Sequence, residues 1–145
     1  MAPLPLTGVL LAAGAARRFG ANKLLAQLPA GETVGLLAAS KLAAVVDRMV
    51  VVVRATDDLT TRVFEDAGYM VVRCAQAHLG MAHSLACGVT ASRDSAAWMV
   101  ALADMPLIAT STLTALTTCW RHIDKIVVPT CAGQGGHPVI FPARM

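Results

Sequence analysis

Short apolar runs alternate along this chain with longer stretches of helical period, and this alternation limits the fold more than any other feature. The apolar runs cover residues 6–12, 49–53, 69–72, 97–102, 126–128 and 138–141. Strands that are apolar throughout and separated by helices are typical of a mostly parallel sheet with helices on both faces. We therefore predict an α/β protein built as a three-layer sandwich. Because proline has no N–H to donate, Pro138 predicts that the last run is an edge strand or starts late.

Four stretches between these runs carry apolar residues at intervals of three or four, the spacing of an amphipathic helix. The residues predicted to face the core are Val34, Ala38, Leu42 and Val45; Leu59, Val63 and Ala67; Met81, Leu85 and Val89; and Leu113, Leu116 and Trp120. Asp57 is positioned to cap the second helix and Gly68 to end it. A chain of 145 residues, 56% of them hydrophobic, is expected to form one domain.

The charge and cysteine patterns argue against several classes of protein. The net charge is only +3 and the basic residues are scattered, so no basic stripe indicates a nucleic-acid partner. No apolar run reaches the ~18 residues that a membrane span needs. The four cysteines lie more than ten residues apart without a CxxC pair, which argues against a zinc or thioredoxin-type site. We expect a reduced, cytoplasmic chain.

Two distant segments each follow an apolar run and carry chemistry-bearing residues. The first begins Leu11-Ala12-Ala13-Gly14 and brings Arg18 and Lys23 onto one loop, where backbone N–H groups and two cations can meet a polyanion. The second, 102–106, contains Asp104, a carboxylate that could hold Mg²⁺ together with substrate phosphates. Ligands of open parallel sheets bind beyond the carboxyl ends of the strands. We therefore predict that both segments converge on one crevice.

The first segment matches neither of the two common nucleotide motifs. In the P-loop pattern GxxxxGK[ST] four residues separate the glycines, whereas here five separate Gly14 from Gly20. The dinucleotide pattern GxGxxG is absent, and Arg54 stands at the end of the second run where an NAD enzyme has an acidic residue. These differences argue against a P-loop ATPase and an NAD enzyme.

Several polar residues have a structural interpretation beside the functional one. Arg17 fits an ordinary solvated side chain, whereas Arg18 and Lys23 fit a phosphate site better. Gly80 and Ser84 mark either a plain helix start or a helix N-terminus that binds an anion. His137 either belongs to a turn that enters the last strand or contacts substrate.

Four segments occur in an order that resembles the MobA-like nucleotidyltransferases. They are LAAGxxxRFGxxK from Leu11, GMAxSL from Gly80, LADMP from Leu102 and GHPVIF from Gly136. Within that family the chain most resembles molybdenum cofactor cytidylyltransferase. The resemblance implies a Rossmann-like sheet of the nucleotide-diphospho-sugar transferase type. It covers residues from about 6 to 141.

The resemblance also implies roles for individual residues. Leu11, Ala12, Ala13, Gly14, Gly80 and Ser84 would lie against the nucleotide. Arg18 and Lys23 would bind its phosphates as the catalytic cations, and Asp104 would hold Mg²⁺. Cytidylyltransferases tend to read LAAG where enzymes that use GTP read LAGG, so Ala13 favours CTP. His137 is a possible substrate contact.

The activity so implied is transfer of CMP from CTP to the terminal phosphate of molybdenum cofactor, with release of pyrophosphate. The partners would be CTP or another NTP, the phosphorylated pterin acceptor, and a molybdoenzyme or chaperone that receives the product. Two alternatives stay open: a sugar or polyol phosphate as acceptor, and a non-catalytic module that binds a nucleotide or a partner. Relatives continue beyond the last motif, so we expect a single nucleotidyltransferase domain, 1–145, that is incomplete at its C-terminus relative to the family.

Overall fold

A five-stranded sheet in the order β3-β2-β1-β4-β7 forms the centre of the structure, a computed structural model that describes residues 3–14, 23–131 and 133–144. Its strands are β1 (Leu6–Leu11), β2 (Arg48–Arg54), β3 (Val71–Cys74), β4 (Ala97–Leu102) and β7 (Val139–Pro142). The first four are parallel, whereas β7 pairs antiparallel with β4 at the edge. Two short strands, β5 (Thr130–Cys131) and β6 (Gln134–Gly135), form a separate hairpin.

Helices cover both faces of the sheet, as the alternating sequence pattern predicts. They are α1 (Val34–Ala43), α2 (Asp58–Asp66), α3 (Met81–Ala91) and α4 (Thr110–Ile123). Leu42 of α1, Phe64 of α2 and Leu113 of α4 pack in one apolar cluster, while Leu85 of α3 packs in the cluster on the opposite face. The placement of α1 and α2 on one face and α3 on the other follows from right-handed crossovers, because the chain runs β1-β2-β3 in one direction and then returns past β1 to β4. The predicted three-layer α/β sandwich is confirmed.

The sequence pattern predicts most of the strands and helices, but the structure differs from the prediction at two places in the last third of the chain. The run 126–128 is not a strand: Val127 makes only an isolated bridge to Ile140. A short hairpin follows it, whose two-residue strands are too short to show an alternating pattern. The last strand starts after Pro138, as expected from a residue without an N–H. Asp57 caps α2, since its side chain accepts a hydrogen bond from Thr60 N at 3.1 Å.

The predicted buried face of α2 is wrong, and that of α3 is right only in part, because Leu85 packs against the core whereas Met81 does not. Leu59 is 62% exposed and Met81 is 54% exposed, whereas α2 buries Thr60, Thr61 and Phe64. On α3 the buried residues are Ser84 and Gly88. A Cβ on Gly88 would lie 2.7 Å from Val9 Cγ1, so α3 approaches the sheet through small residues rather than large apolar ones. The stripe of Leu113, Leu116 and Trp120 on α4 is confirmed.

Replacing Gly88 with alanine is expected to destabilise the fold. The added methyl would overlap Val9 Cγ1 at 2.7 Å and crowd Val52 Cγ2 at 3.0 Å. Overpacking of a close contact costs about 1–3 kcal/mol, and urea unfolding would measure this loss. Gly136→Ala is a matched control, because nothing lies within 4 Å of its added methyl. Equal stabilities for the two variants would contradict the close packing of α3.

A disulfide joins Cys74 at the end of β3 to Cys87 on α3, with their Cα atoms 6.0 Å apart. The expectation that the chain holds only reduced cysteines is therefore wrong for this pair. Spacing along the sequence missed the pair because α3 folds back over β3 and brings together residues 13 positions apart. Cys119 is a free, exposed cysteine. None of the described helices is long and apolar enough to cross a membrane.

Reduction of this disulfide is expected to lower the free energy of unfolding by about 3 kcal/mol. The bond restricts the unfolded chain, and this value is the free-energy equivalent of the entropy that a loop of this length removes from it. Urea unfolding with and without dithiothreitol would measure the change. Cys87→Ala should show no dependence on dithiothreitol, because it cannot form the bond. Two free thiols at these positions in the oxidised protein, with a stability that dithiothreitol leaves unchanged, would contradict the prediction.

Candidate functional site

A cavity of about 350 Å³ opens at the carboxyl ends of the central strands. This volume is within the usual range for small-molecule sites, about 300–1,000 Å³. The strand order reverses here, because β1 has β2 on one side and β4 on the other. The cavity is lined by Leu11, Ala12, Ala13, Gly14, Leu24, Arg54, Ala77, His78, Gly80, Met81, Ser84, Leu102 and Asp104.

The turn after β1 forms the floor of the cavity and is held from both sides. Ala12 N donates to Val52 O at 2.8 Å, and Ala103 N donates to Leu11 O at 3.0 Å, so the ladders to both neighbouring strands continue past the end of β1. Ala12 and Ala13 are buried. Gly14 is exposed and borders open space, because no atom lies within 4 Å of where its Cβ would be. A ligand can therefore lie directly against this backbone.

Arg54, the last residue of β2, lies beside this turn. Its Nε donates to Ala13 O at 2.9 Å, which fixes the guanidinium against the cavity. In the sequence Arg54 argues only against an NAD site, but its position at the carboxyl end of a buried strand also marks it as a candidate ligand residue. Arg54, His78 and Asp104 are the titratable side chains among the described residues that line the cavity.

The N-terminus of α3 forms a second wall. Gly80 has φ +132°, a conformation that favours glycine, and lets the chain turn sharply into the helix. No side chain caps this helix among the described residues. His83 N donates to Gly80 O at 3.2 Å, which leaves the N–H groups of Met81 and Ala82 for a ligand. Ser84 is only 4% exposed and lines the cavity.

Asp104 lies on the other side of β1, two residues beyond the end of β4. It is exposed, and no ion pair involves it within the part of the chain that is described. No group of three acidic, histidine or cysteine residues that could hold a metal occurs among the described residues. A single carboxylate fits the way Mg²⁺ is usually bound, with few protein ligands and with water and phosphate oxygens for the rest. The donor chemistry at Asp104 therefore suits Mg²⁺ bound together with a polyphosphate.

The structure brings most of the predicted site residues to this cavity. Leu11, Ala12, Ala13, Gly14, Gly80, Ser84 and Asp104 all line it. Lys23 is exposed at the start of a 3-10 turn and is not among the lining residues, although its neighbour Leu24 is. His137 does not line the cavity either. Arg17 and Arg18 lie outside the described residues.

The structure is an α/β protein with a cavity at the switch point of a mostly parallel sheet, and comparison with known proteins gives the family. The model of the MobA-like NTP transferase domain matches residues 8–145. The chain therefore belongs to the MobA-like NTP transferase family. The resemblance found in the four sequence segments is confirmed, and membership of this family makes the protein a transferase of nucleotidyl groups. A comparison with curated proteins finds no match.

Three solved structures share the fold at low sequence identity. A nucleotidyl transferase from Methanothermobacter thermautotroptrophicus has a TM-score of 0.82 at 22% identity, over 97% of this chain and 72% of its own. A Mycobacterium tuberculosis protein in complex with manganese has a TM-score of 0.72 at 22% identity, over 95% and 71%. Molybdopterin-guanine dinucleotide biosynthesis protein A from Archaeoglobus fulgidus has a TM-score of 0.72 at 16% identity, over 96% and 68%. The predicted nucleotide-diphospho-sugar transferase type of fold is confirmed.

Proposed function

We propose that this protein transfers CMP from CTP to the terminal phosphate of molybdenum cofactor and releases pyrophosphate. The observation that carries the proposal is the convergence of the Leu11-Ala12-Ala13-Gly14 turn and Asp104 on one cavity in a MobA-like domain. A polyanion between them would meet open backbone on one side and a carboxylate suited to a divalent cation on the other. This is the arrangement that a metal-bound nucleoside triphosphate needs.

The reaction needs positioning and charge neutralisation rather than a side-chain nucleophile. The acceptor phosphate is already ionised, so its oxygen can attack the α-phosphorus in line with the departing pyrophosphate without a general base. In this proposal Arg18 and Lys23 bind the phosphates and stabilise the charge that collects on pyrophosphate. The uncapped N–H groups at the start of α3 and the backbone at Gly14 orient the nucleotide.

A divalent cation is the cofactor that fits this donor set. Asp104 is the residue that would hold it, and we propose Mg²⁺; a structural neighbour solved with manganese is in line with a divalent cation. When bound, such an ion neutralises phosphate oxygens and lowers the repulsion between the two anionic reactants. Asp104 itself supplies a fixed negative oxygen at the end of β4, opposite the turn after β1.

The choice of CTP is supported by Ala13. Ala13 lines the cavity and is only 3% exposed. Glycine at this position would leave space that a larger purine could use, so alanine favours the smaller pyrimidine. His137 stays a proposed contact for the acceptor rather than the nucleotide, since it does not line the cavity.

The proposal places the protein in the cytoplasm, and a molybdoenzyme or its chaperone would receive the product. Cytoplasmic thiols are kept reduced. The fold would therefore have to be stable there with Cys74 and Cys87 as thiols, which the dithiothreitol experiment above tests directly.

An assay of pyrophosphate release tests the proposal. The protein is incubated with CTP, Mg²⁺ and molybdenum cofactor, and in parallel with sugar and polyol phosphates as acceptors. Release that requires both CTP and molybdenum cofactor would support the proposed activity. Pyrophosphate release with a sugar or polyol phosphate instead would mean that the protein is a nucleotidyltransferase with a different acceptor. CTP binding in calorimetry without release for any acceptor would instead indicate a nucleotide-binding module, and a full-length relative active under the same conditions serves as positive control.

A further inference from the structure

Arg54 differs from the other strand arginines in how its guanidinium is used. Arg48 of β2 pairs with Asp94 at 2.9 Å, and Arg73 of β3 pairs with Asp58 at 2.7 Å. Arg54 has no carboxylate partner among the described residues, and the one hydrogen bond that its guanidinium makes there is from Nε to Ala13 O. Its two Nη groups are therefore left for a ligand in the cavity that Arg54 lines.

The sheet order fixes which end of the cavity Arg54 occupies. Reading across the carboxyl ends of the strands, Arg54 ends β2, the Ala13 turn follows β1, and Asp104 follows β4. Arg54 and Asp104 thus lie on opposite sides of the turn. If the metal and the triphosphate lie at Asp104, as the proposed function requires, the nucleobase extends toward Arg54 and the wall formed by α3.

The polar groups at that end match one kind of base edge. A guanidinium donates hydrogen bonds and accepts none, and its planar fork suits two adjacent acceptors. The Ser84 hydroxyl, buried on the opposite wall, can accept a hydrogen bond. Cytosine presents two adjacent acceptors, O2 and N3, followed by the amino group on C4. Uracil carries N3–H at the middle position, which would face a donor, and so fits less well. Guanine also has two adjacent acceptors, N7 and O6, so it is disfavoured by its size at Ala13 rather than by the fork.

We propose that Arg54 is a specificity-determining residue that donates its two Nη groups to O2 and N3 of cytosine. Its Nε bond to Ala13 O aligns the fork, while Ser84 accepts from the amino group of the base. This inference rests on the proposed function, because it takes the phosphates to lie at Asp104. Ala13 limits only the size of the base, whereas Arg54 would select the base by its hydrogen bonds.

Calorimetry with four probes tests this role. CTP, UTP, GTP and tripolyphosphate are titrated with Mg²⁺ into the wild-type protein, Arg54→Gln and Arg54→Lys, with Arg62→Gln as a charge-matched control on the exposed face of α2. We expect Arg54→Gln to weaken the affinity for CTP about 10- to 100-fold, because the variant loses a bidentate contact to the base. Tripolyphosphate affinity should stay unchanged, which also shows that the cavity is intact. Arg54→Lys should lose most of the preference for CTP over UTP, since a lysine cannot form the fork.

Several outcomes would overturn the inference. Equal weakening of tripolyphosphate and all three nucleotides in Arg54→Gln would mean that Arg54 binds phosphate rather than the base. Unchanged CTP affinity in both Arg54 variants would mean that it contacts no ligand, and a wild-type protein that prefers GTP would overturn the cytosine contact. CTP binding that depends on Arg54, without any pyrophosphate release, would refute the proposed transfer reaction and leave the role of Arg54 standing.

Discussion

Asp104→Asn is expected to lower kcat/KM for pyrophosphate release about 100- to 1,000-fold, the usual cost of removing one group that stabilises charge in a transition state. Asparagine keeps the shape of the side chain but removes the negative charge that would hold Mg²⁺ beside the triphosphate. Because Asp104 is exposed and makes no ion pair among the described residues, the free energy of unfolding should change by less than about 0.5 kcal/mol. Steady-state kinetics and urea unfolding together measure both quantities.

Asp66→Asn provides the matched control for this experiment. Asp66 is an exposed aspartate at the end of α2, away from the cavity, so its replacement removes the same charge without touching the site. Its kcat/KM should equal that of the wild-type protein. A fall of the same size in both variants would show that net charge, and not a metal ligand, sets the rate. An active Asp104→Asn would show that the carboxylate is not needed.

Phe64→Ala is expected to lower the free energy of unfolding by about 3–5 kcal/mol, the cost of truncating a fully buried aromatic ring. Phe64 is 1% exposed and packs edge-on against Tyr69, with ring centroids 6.3 Å apart. Its ring also lies against Gly35 of α1, where an added Cβ would be 3.0 Å away. A loss of this size is a large part of the stability of a single domain, and thermal unfolding should show a midpoint roughly 10 °C lower.

Leu59→Ala on the same helix is the control, and it also tests which face of α2 is buried. The apolar spacing predicts that Leu59 packs in the core, whereas the structure exposes it. Its truncation should therefore change the free energy of unfolding by less than about 0.5 kcal/mol. A large loss for Leu59→Ala with a small one for Phe64→Ala would reverse the orientation of α2 and contradict this packing.

These helix faces show where sequence periodicity stops being informative. On α4, large apolar residues repeat at helical spacing and the predicted stripe is the buried one. On α3 the buried residues are Ser84 and Gly88, because a helix that crosses close to a sheet needs small residues at the contact. Hydrophobicity alone assigns such residues to solvent. The spacing pattern therefore identified α3 as a helix and found Leu85 at its packed face, but it missed the small residues that lie closest to the sheet.

More of the cavity residues than of the helix packing could be predicted from the sequence, because of the topology of the sheet. Residues that follow parallel strands end at one edge of the sheet, so Gly14 and Asp104 could be brought together from their positions after two apolar runs. Arg54 meets the same criterion, but a lone arginine at a strand end has no distinctive motif around it. The disulfide between Cys74 and Cys87 depends on how α3 returns over β3, which no spacing rule for cysteines contains.

All of the proposed chemistry requires a magnesium-bound nucleotide that lies between the turn after β1 and Asp104. A crystal structure of the protein with Mg²⁺ and a non-hydrolysable CTP analogue measures this directly. We expect a metal about 2.0–2.1 Å from a carboxylate oxygen of Asp104, phosphates beside Gly14 and the base between Arg54 and Ser84. A nucleotide bound on another face of the sheet, or a metal bound in the cavity without Asp104, would contradict it.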